Sequence, residues 1–165
     1  MNAPLAEMLR YNRWATLRLL EACRDLPGAA LDVRIGGVGS PVRELLVHVV
    51  GAQQTQALRT KGRQHEGELN RSSPWPGWDA LIEAARSSAD ELVSIAETLD
   101  DDTQVVLPWQ GKDFTFPKSF FLVHAVSHGV EHRTEIKVAL SAEGIDTPDL
   151  DGWFYAESRG FGAEA

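Results

Sequence analysis

Apolar residues recur at helical spacing in four long stretches of the chain, and polar side chains fall largely between the stripes they make. From Pro4 to Leu26, the residues Leu5, Met8, Leu9, Ala15, Leu19, Ala22, Cys23 and Leu26 trace one inward stripe, with Arg10, Arg13, Arg18, Glu21 and Arg24 largely outside it. Pro4 suits a first helical turn, and Pro27-Gly28 ends the helix. Residues 28–39 are glycine-rich and read as a connection with one short helical turn around Leu31. Ser40 then reads as an N-cap and Pro41 as the first residue of a second helix, whose stripe Val42, Leu45, Leu46, Val49, Ala52 and Gln56 carries it to Thr60.

Residues 61–77 are polar and end in Ser72-Ser73-Pro74-Trp75-Pro76-Gly77, the composition of an exposed loop. His65 lies there between Gln64 and Glu66 and reads as a solvated residue, or as part of a lid over a site. The third helix, from Asp79 to Leu99, turns Leu81, Ile82, Ala85, Ala89, Leu92, Ala96 and Leu99 inward and presents Glu83, Asp90, Glu91 and Glu97 to water. Two short β-prone runs around Gly111, Val105 to Trp109 and Asp113 to Pro117, predict a hairpin or extended excursion. Pro117-Lys118-Ser119 opens a fourth helix that runs to Ala142 and stops at Gly144. The tail carries an aromatic group, Trp153-Phe154-Tyr155, expected to pack as a short helix over the bundle or over a partner subunit. The pattern predicts an all-α fold, a four-helix bundle with a short β-prone excursion between helices three and four, as a single domain over residues 1–165.

Composition narrows the partners. A formal charge of -8 argues against a broad phosphate-binding surface, so nucleic acid is not an expected partner. Cys23 is the only cysteine, which excludes an intrachain disulfide, and it falls on the apolar stripe as a small core residue. Met1-Asn2-Ala3-Pro4 lacks a basic segment followed by an apolar run, and no apolar stretch is long enough to span a bilayer. The expectation is a cytoplasmic protein with no membrane partner.

Three of the five histidines, His124, His128 and His132, stand four apart on the fourth helix, flanked on the same side by Phe121, Ala125, Ile136 and Ala139. Neutral imidazole is a common metal ligand, and two rings four residues apart on a helix can aim at one ion. All three cannot, because His124 and His132 are about 12 Å apart along the axis while Zn–N bonds are about 2 Å. His48, beside Leu45, Val49 and Ala52 on the second helix, is a candidate third ligand. Taking helices two and four as parallel puts His48 about 10 Å from its helix start, and His124 and His128 about 8 and 14 Å from theirs. That makes His48 and His128 compatible and leaves the choice between His124 and His132 open. The competing reading is of core or rim histidines bonded to backbone.

Tyr11-Asn12-Arg13-Trp14-Ala15, Glu44-Leu45-Leu46-Val47-His48-Val49 and the segment His124 to Arg133 together resemble the DinB/YfiT-like superfamily of four-helix bundles, in order and spacing over nearly the whole chain. The resemblance implies a divalent metal, nickel or zinc, held by His48, His128 and His132, with His124 in the outer shell. Glu131 stands where many members have another histidine beside the last ligand. Three neutral ligands with an open position is the layout of a catalytic zinc site. The His-Glu-x-x-His arrangement of metalloproteases is absent, as are the paired Glu-x-x-His units of di-iron bundles, a phosphate loop and a Gly-x-Ser-x-Gly elbow. The resemblance further implies thiol-dependent chemistry on a small-molecule substrate, a transferase or hydrolase-like activity with a low-molecular-weight thiol as cosubstrate, and a homodimer. A non-catalytic metal-binding or stress-response protein, and a plain bundle whose histidines bind nothing, are the alternatives.

Overall fold

The computed structural model describes residues 3–34, 36, 39–64, 69–99 and 103–162. The chain folds into α1 (Ala3–Arg24), a 3-10 turn (Gly28–Asp32), α2 (Val42–Arg59), α3 (Trp78–Thr98), the hairpin β1 (Gln104–Trp109) and β2 (Lys112–Pro117), α4 (Lys118–Ala142) and α5 (Gly152–Ser158). This is the all-α four-helix bundle with a β excursion that the periodicity predicts. His65 lies outside the described residues.

Side-chain pairing fixes the helix directions. Arg13 with Asp90 (2.6 Å), Arg24 with Asp79 (3.0 Å) and Arg10 with Glu97 set α1 antiparallel to α3. These pairs are largely exposed and stabilise by only about 0–1 kcal/mol each, so orientation is their main contribution. The core has two parts. At one end Leu19 and Leu20 of α1, Val42, Leu45 and Leu46 of α2, Leu81 of α3, and Ile136 and Leu140 of α4 pack together. At the other, Leu5 and Leu9 meet Ala57, Leu92, Leu122 and Val126. The start of α2 thus lies beside the end of α4, and the two run antiparallel; the parallel arrangement assumed above is overturned. Each fully buried leucine contributes about 1.5–3 kcal/mol by transfer from water.

Antiparallel packing also revises the axial levels. From the α4 end that adjoins the α2 start, His132, His128 and His124 lie about 15, 21 and 27 Å along the axis, against about 9 Å for His48. His132 is therefore the nearest of the three in level, and His124 the farthest.

Helix ends follow local chemistry. Pro41 has ψ 159° and forms an isolated antiparallel bridge with Arg34, while the Val42 N–H donates to the Val33 carbonyl (3.0 Å). This bridge holds Pro41 extended, so α2 begins at Val42, one residue later than predicted, and no side chain caps it. Gly144 (φ 72°) closes α4 in a Schellman motif: its N–H donates to Ser141, and the Ile145 N–H donates to Leu140. Gln110 (φ 50°) and Gly111 (φ 76°) both take positive φ, as a two-residue type I′ hairpin turn requires.

Two predicted positions differ. Met8 is 48% exposed although its spacing points inward, and α1 instead buries Asn12 and Thr16. The tail aromatics separate: Tyr155 is buried against Tyr11 and Trp14, whereas Trp153 is 81% exposed. Asp151 caps α5 by accepting from the Trp153 N–H (2.8 Å). No helix among the described residues is long and apolar enough to cross a membrane.

Cys23 sits inside the larger core part, and burial pushes its thiol up to about 12. Only the thiolate alkylates, so at about pH 8.5, where a free cysteine is half ionised, the native chain should resist iodoacetamide and the urea-unfolded chain should take up one equivalent. Mass spectrometry of both samples checks this; rapid modification of the native chain would refute the buried placement.

Candidate metal centre

Antiparallel packing of α2 on α4 brings His48 between His128 and His132. The ring centroids are 4.9 Å apart for His48 and His128, 4.7 Å for His48 and His132, and 4.3 Å for His128 and His132. Their ligand nitrogens all lie within 4.8 Å of one another, and this is a group of His, Cys, Asp or Glu residues among the described ones that could hold a metal ion. Nitrogens sharing a tetrahedral zinc at 2.0–2.1 Å would be about 3.3–3.4 Å apart, so side-chain rotation of about an ångström would complete a shell.

The donor set fits a cation. The Nε2 of His128 is buried and has no hydrogen-bond partner. His132 is fixed through its other face: Nδ1 lies 2.5 Å from Glu135 Oε2, which orients the ring with Nε2 free. Carboxylate–histidine pairs of this kind fix the tautomer and raise the basicity of ligating histidines. Burial pushes His48 down to about 4, aided by the Arg71 cation and by His132, with Glu135 opposing. Burial pushes His128 down to about 3, followed by the charges of His132, His48, His124 and Arg71. Both imidazoles therefore stand neutral, the state that ligates.

His124 stands apart from this group. Its ring stacks on His128 at 5.3 Å, with Phe120 at 6.0 Å on its other side, and burial and Arg59 lower its pKa. It is a neighbour of the cluster, at the level of Arg59, and not a corner of the triangle.

Three further residues shape the site. Glu135 lies one turn after His132, a spacing legible in the sequence as a helix-surface pair. Gly51, one turn beyond His48, lies under the loop: a Cβ there would stand 1.7 Å from the Leu69 carbonyl oxygen. The Leu69 N–H donates to Gln54 Oε1 (3.2 Å), pinning the chain on α2 two residues before Arg71. A glycine inside an otherwise good helix was the available signal for this close approach. Arg71 itself carried none, since nothing in a polar loop marks which cation returns to the bundle.

Protonation costs the folded state here. The folded pKa values of His48 and His128 lie below the unfolded value near 6.5, so the unfolded chain binds more protons as pH falls. Their contribution is fully present above about pH 6.5 and declines toward about pH 4. The urea midpoint of the chelator-treated chain should fall across this window, and fall less steeply in His128→Ala. Equal slopes in the two chains would show that the His128 ring is hydrated in the native state.

The chain belongs to the DinB family, whose family model matches residues 1–164. Its fold is similar to the crystal structure of a DinB-like protein from Bacillus cereus ATCC 10987, with a TM-score of 0.64, 21% identity, and coverage of 88% of this chain and 94% of that one. No curated protein matches the chain.

Proposed function

We propose that this chain binds a divalent metal, nickel or zinc, through His48, His128 and His132, and uses it in a thiol-dependent transfer or hydrolase-like reaction on a small molecule in the cytoplasm. The observation that carries the metal reading is the convergence of three imidazoles from two helices, one with an orphaned buried Nε2 and one oriented by Glu135. Bound there, the ion would supply Lewis-acid chemistry, acidifying bound water or holding a substrate thiol as thiolate. The chain's own residues prepare the place: burial keeps His48 and His128 unprotonated, Glu135 fixes the His132 ring, and Arg71 adds a positive charge favourable to an anionic reactant. Family membership supports the metal; the thiol rests on the resemblance alone.

Metal content of protein purified without a histidine tag tests the ligand set. His48→Ala, His128→Ala and His132→Ala should each lose most of the metal, whereas His124→Ala and His65→Ala should keep it. Retention by His48→Ala together with loss in His65→Ala would overturn the assignment. Incubating metal-loaded protein with a panel of low-molecular-weight thiols and electrophiles tests the reaction. Thiol consumption above that of the His128→Ala chain supports the enzyme, and a fully loaded chain that consumes none leaves a non-catalytic metal-binding bundle.

The same proposal includes a homodimer. Trp153 is 81% exposed and Phe154 44%, and exposed aromatics are enriched in interface cores. Sedimentation at micromolar concentration should show a dimer that Trp153→Asp weakens. A wild-type monomer rejects the dimer; a dimer indifferent to Trp153→Asp moves the interface elsewhere.

A further inference from the structure

Arg133 follows His132 directly, yet it points to α1 while His132 points to α2. It is 3% exposed, the one Asp, Glu, Lys or Arg buried to this degree among the described residues. Nη1 donates to Asn12 Oδ1 (2.7 Å) and to Thr16 Oγ1 (2.9 Å), and Nη2 is buried without a partner. The arrangement is built into the fold, because a Cβ on Gly129 would lie 2.5 Å from Asn12 Oδ1 and 2.6 Å from Arg133 Nη1.

Among the described residues no carboxylate answers this cation. Around it stand Tyr11, Asn12 and Thr16 of α1, Val130, Thr134 and Lys137 of α4, and Leu150: one further cation and otherwise neutral groups. The Tyr11 ring lies 6.0 Å from the guanidinium, and its hydroxyl donates to the Leu150 carbonyl (2.9 Å). Asp149 and Asp151 flank Leu150 but form no ion pair with Arg133. Asp149 Oδ1 accepts from the Asp151 N–H (3.0 Å), and Asp151 Oδ1 from the Trp153 N–H (2.8 Å). Burial lowers Arg133 to about 10, with the Tyr11 hydroxyl opposing.

A cleft of about 160 Å³ opens beside this group, lined by Tyr11, Val130, Arg133, Thr134, Lys137 and Leu150. At about 30 Å³ per water, it has room for roughly five waters or one small polyatomic ion. We propose that this cleft binds a small oxyanion of carboxylate or phosphate size, held by Arg133 at its floor and Lys137 at its rim. Guanidinium is suited to such an ion because its planar fork matches two oxygens at once, and a buried charge without a partner is the state proteins avoid. The site lies across α4 from the histidines and does not depend on the metal reading.

Calorimetric titration with inorganic phosphate and, separately, with acetate tests the proposal on the full chain. One saturable site for either ion is expected. Lys137→Glu, a half-buried rim change that leaves the core intact, should weaken it by about tenfold or more, the scale of one charge-assisted hydrogen bond. His128→Ala should leave it unchanged. Arg133→Gln, checked for native circular dichroism, should abolish it. Absence of saturable binding with both ions, or binding indifferent to Lys137→Glu, overturns the site. Binding lost in His128→Ala but kept in Lys137→Glu also overturns it, since the ion would then sit at the histidines.

Discussion

The constraint on which the bundle depends is that α4 buries polar side chains on two of its sides. Its α2 side carries His128 and His132, its α1 side carries Arg133, and three valines, Val123, Val130 and Val138, are left 42–50% exposed. A buried polar group without a partner costs free energy comparable to the hydrogen bonds it loses, so each neighbour must answer α4 with polar groups of its own. On α1 these are Asn12 and Thr16, and Asn12 is tied onward through Gln53 of α2 (3.3 Å) to the Ala85 carbonyl and Ser88 of α3. One polar layer therefore crosses all four helices between the two parts of the apolar core. A layer of this kind favours a single register, because a helix slipped by one turn would break the bonds among Arg133, Asn12, Gln53 and Ser88.

The same constraint explains the glycines that matter. Gly129 lets α1 approach α4 closely enough for Asn12 to reach Arg133, and Gly51 lets the chain at Leu69 and Asn70 lie on α2. Neither adopts an unusual backbone angle; each is a place where a methyl group has no room. The long return from the end of α2 to the start of α3 thus serves more than connection, since its attachment at Gly51 and Gln54 brings Arg71 to bear on His48 and His128.

How much of this the sequence discloses depends on whether polarity and burial agree. In α1, α2 and α3 they mostly do, so those helices and the hairpin around Gly111 are legible from spacing and turn chemistry. Failures cluster where polar residues are inside: Asn12 and Thr16 are buried but fall outside the apolar stripe that includes the exposed Met8. The histidine row is legible because its period is helical whatever its polarity, and the family resemblance singled out His48, His128 and His132. Helix direction is not encoded in any one stripe, so the parallel assumption for α2 and α4 had nothing to correct it. The Ser40 cap failed for a similar reason, since a bridge between Arg34 and Pro41 is a contact between segments. Arg71 is a tertiary accident of where a loop is pinned.

Charge adds a last step. The chain carries -8 overall, yet the charges nearest the three histidines are arranged otherwise: Arg71 by His48 and His128, and Glu135 committed to His132. Neutral imidazoles leave a divalent ion its full charge, and a half-buried setting screens that charge less than open water does. On the proposed reading, the open coordination position then favours an anion, hydroxide or thiolate, over a neutral ligand, and Arg71 strengthens the preference. A shell containing a carboxylate would halve the charge and weaken it. Glu135, on Nδ1 of His132, would orient that ring for a bound ion while leaving its own charge outside the ligand set.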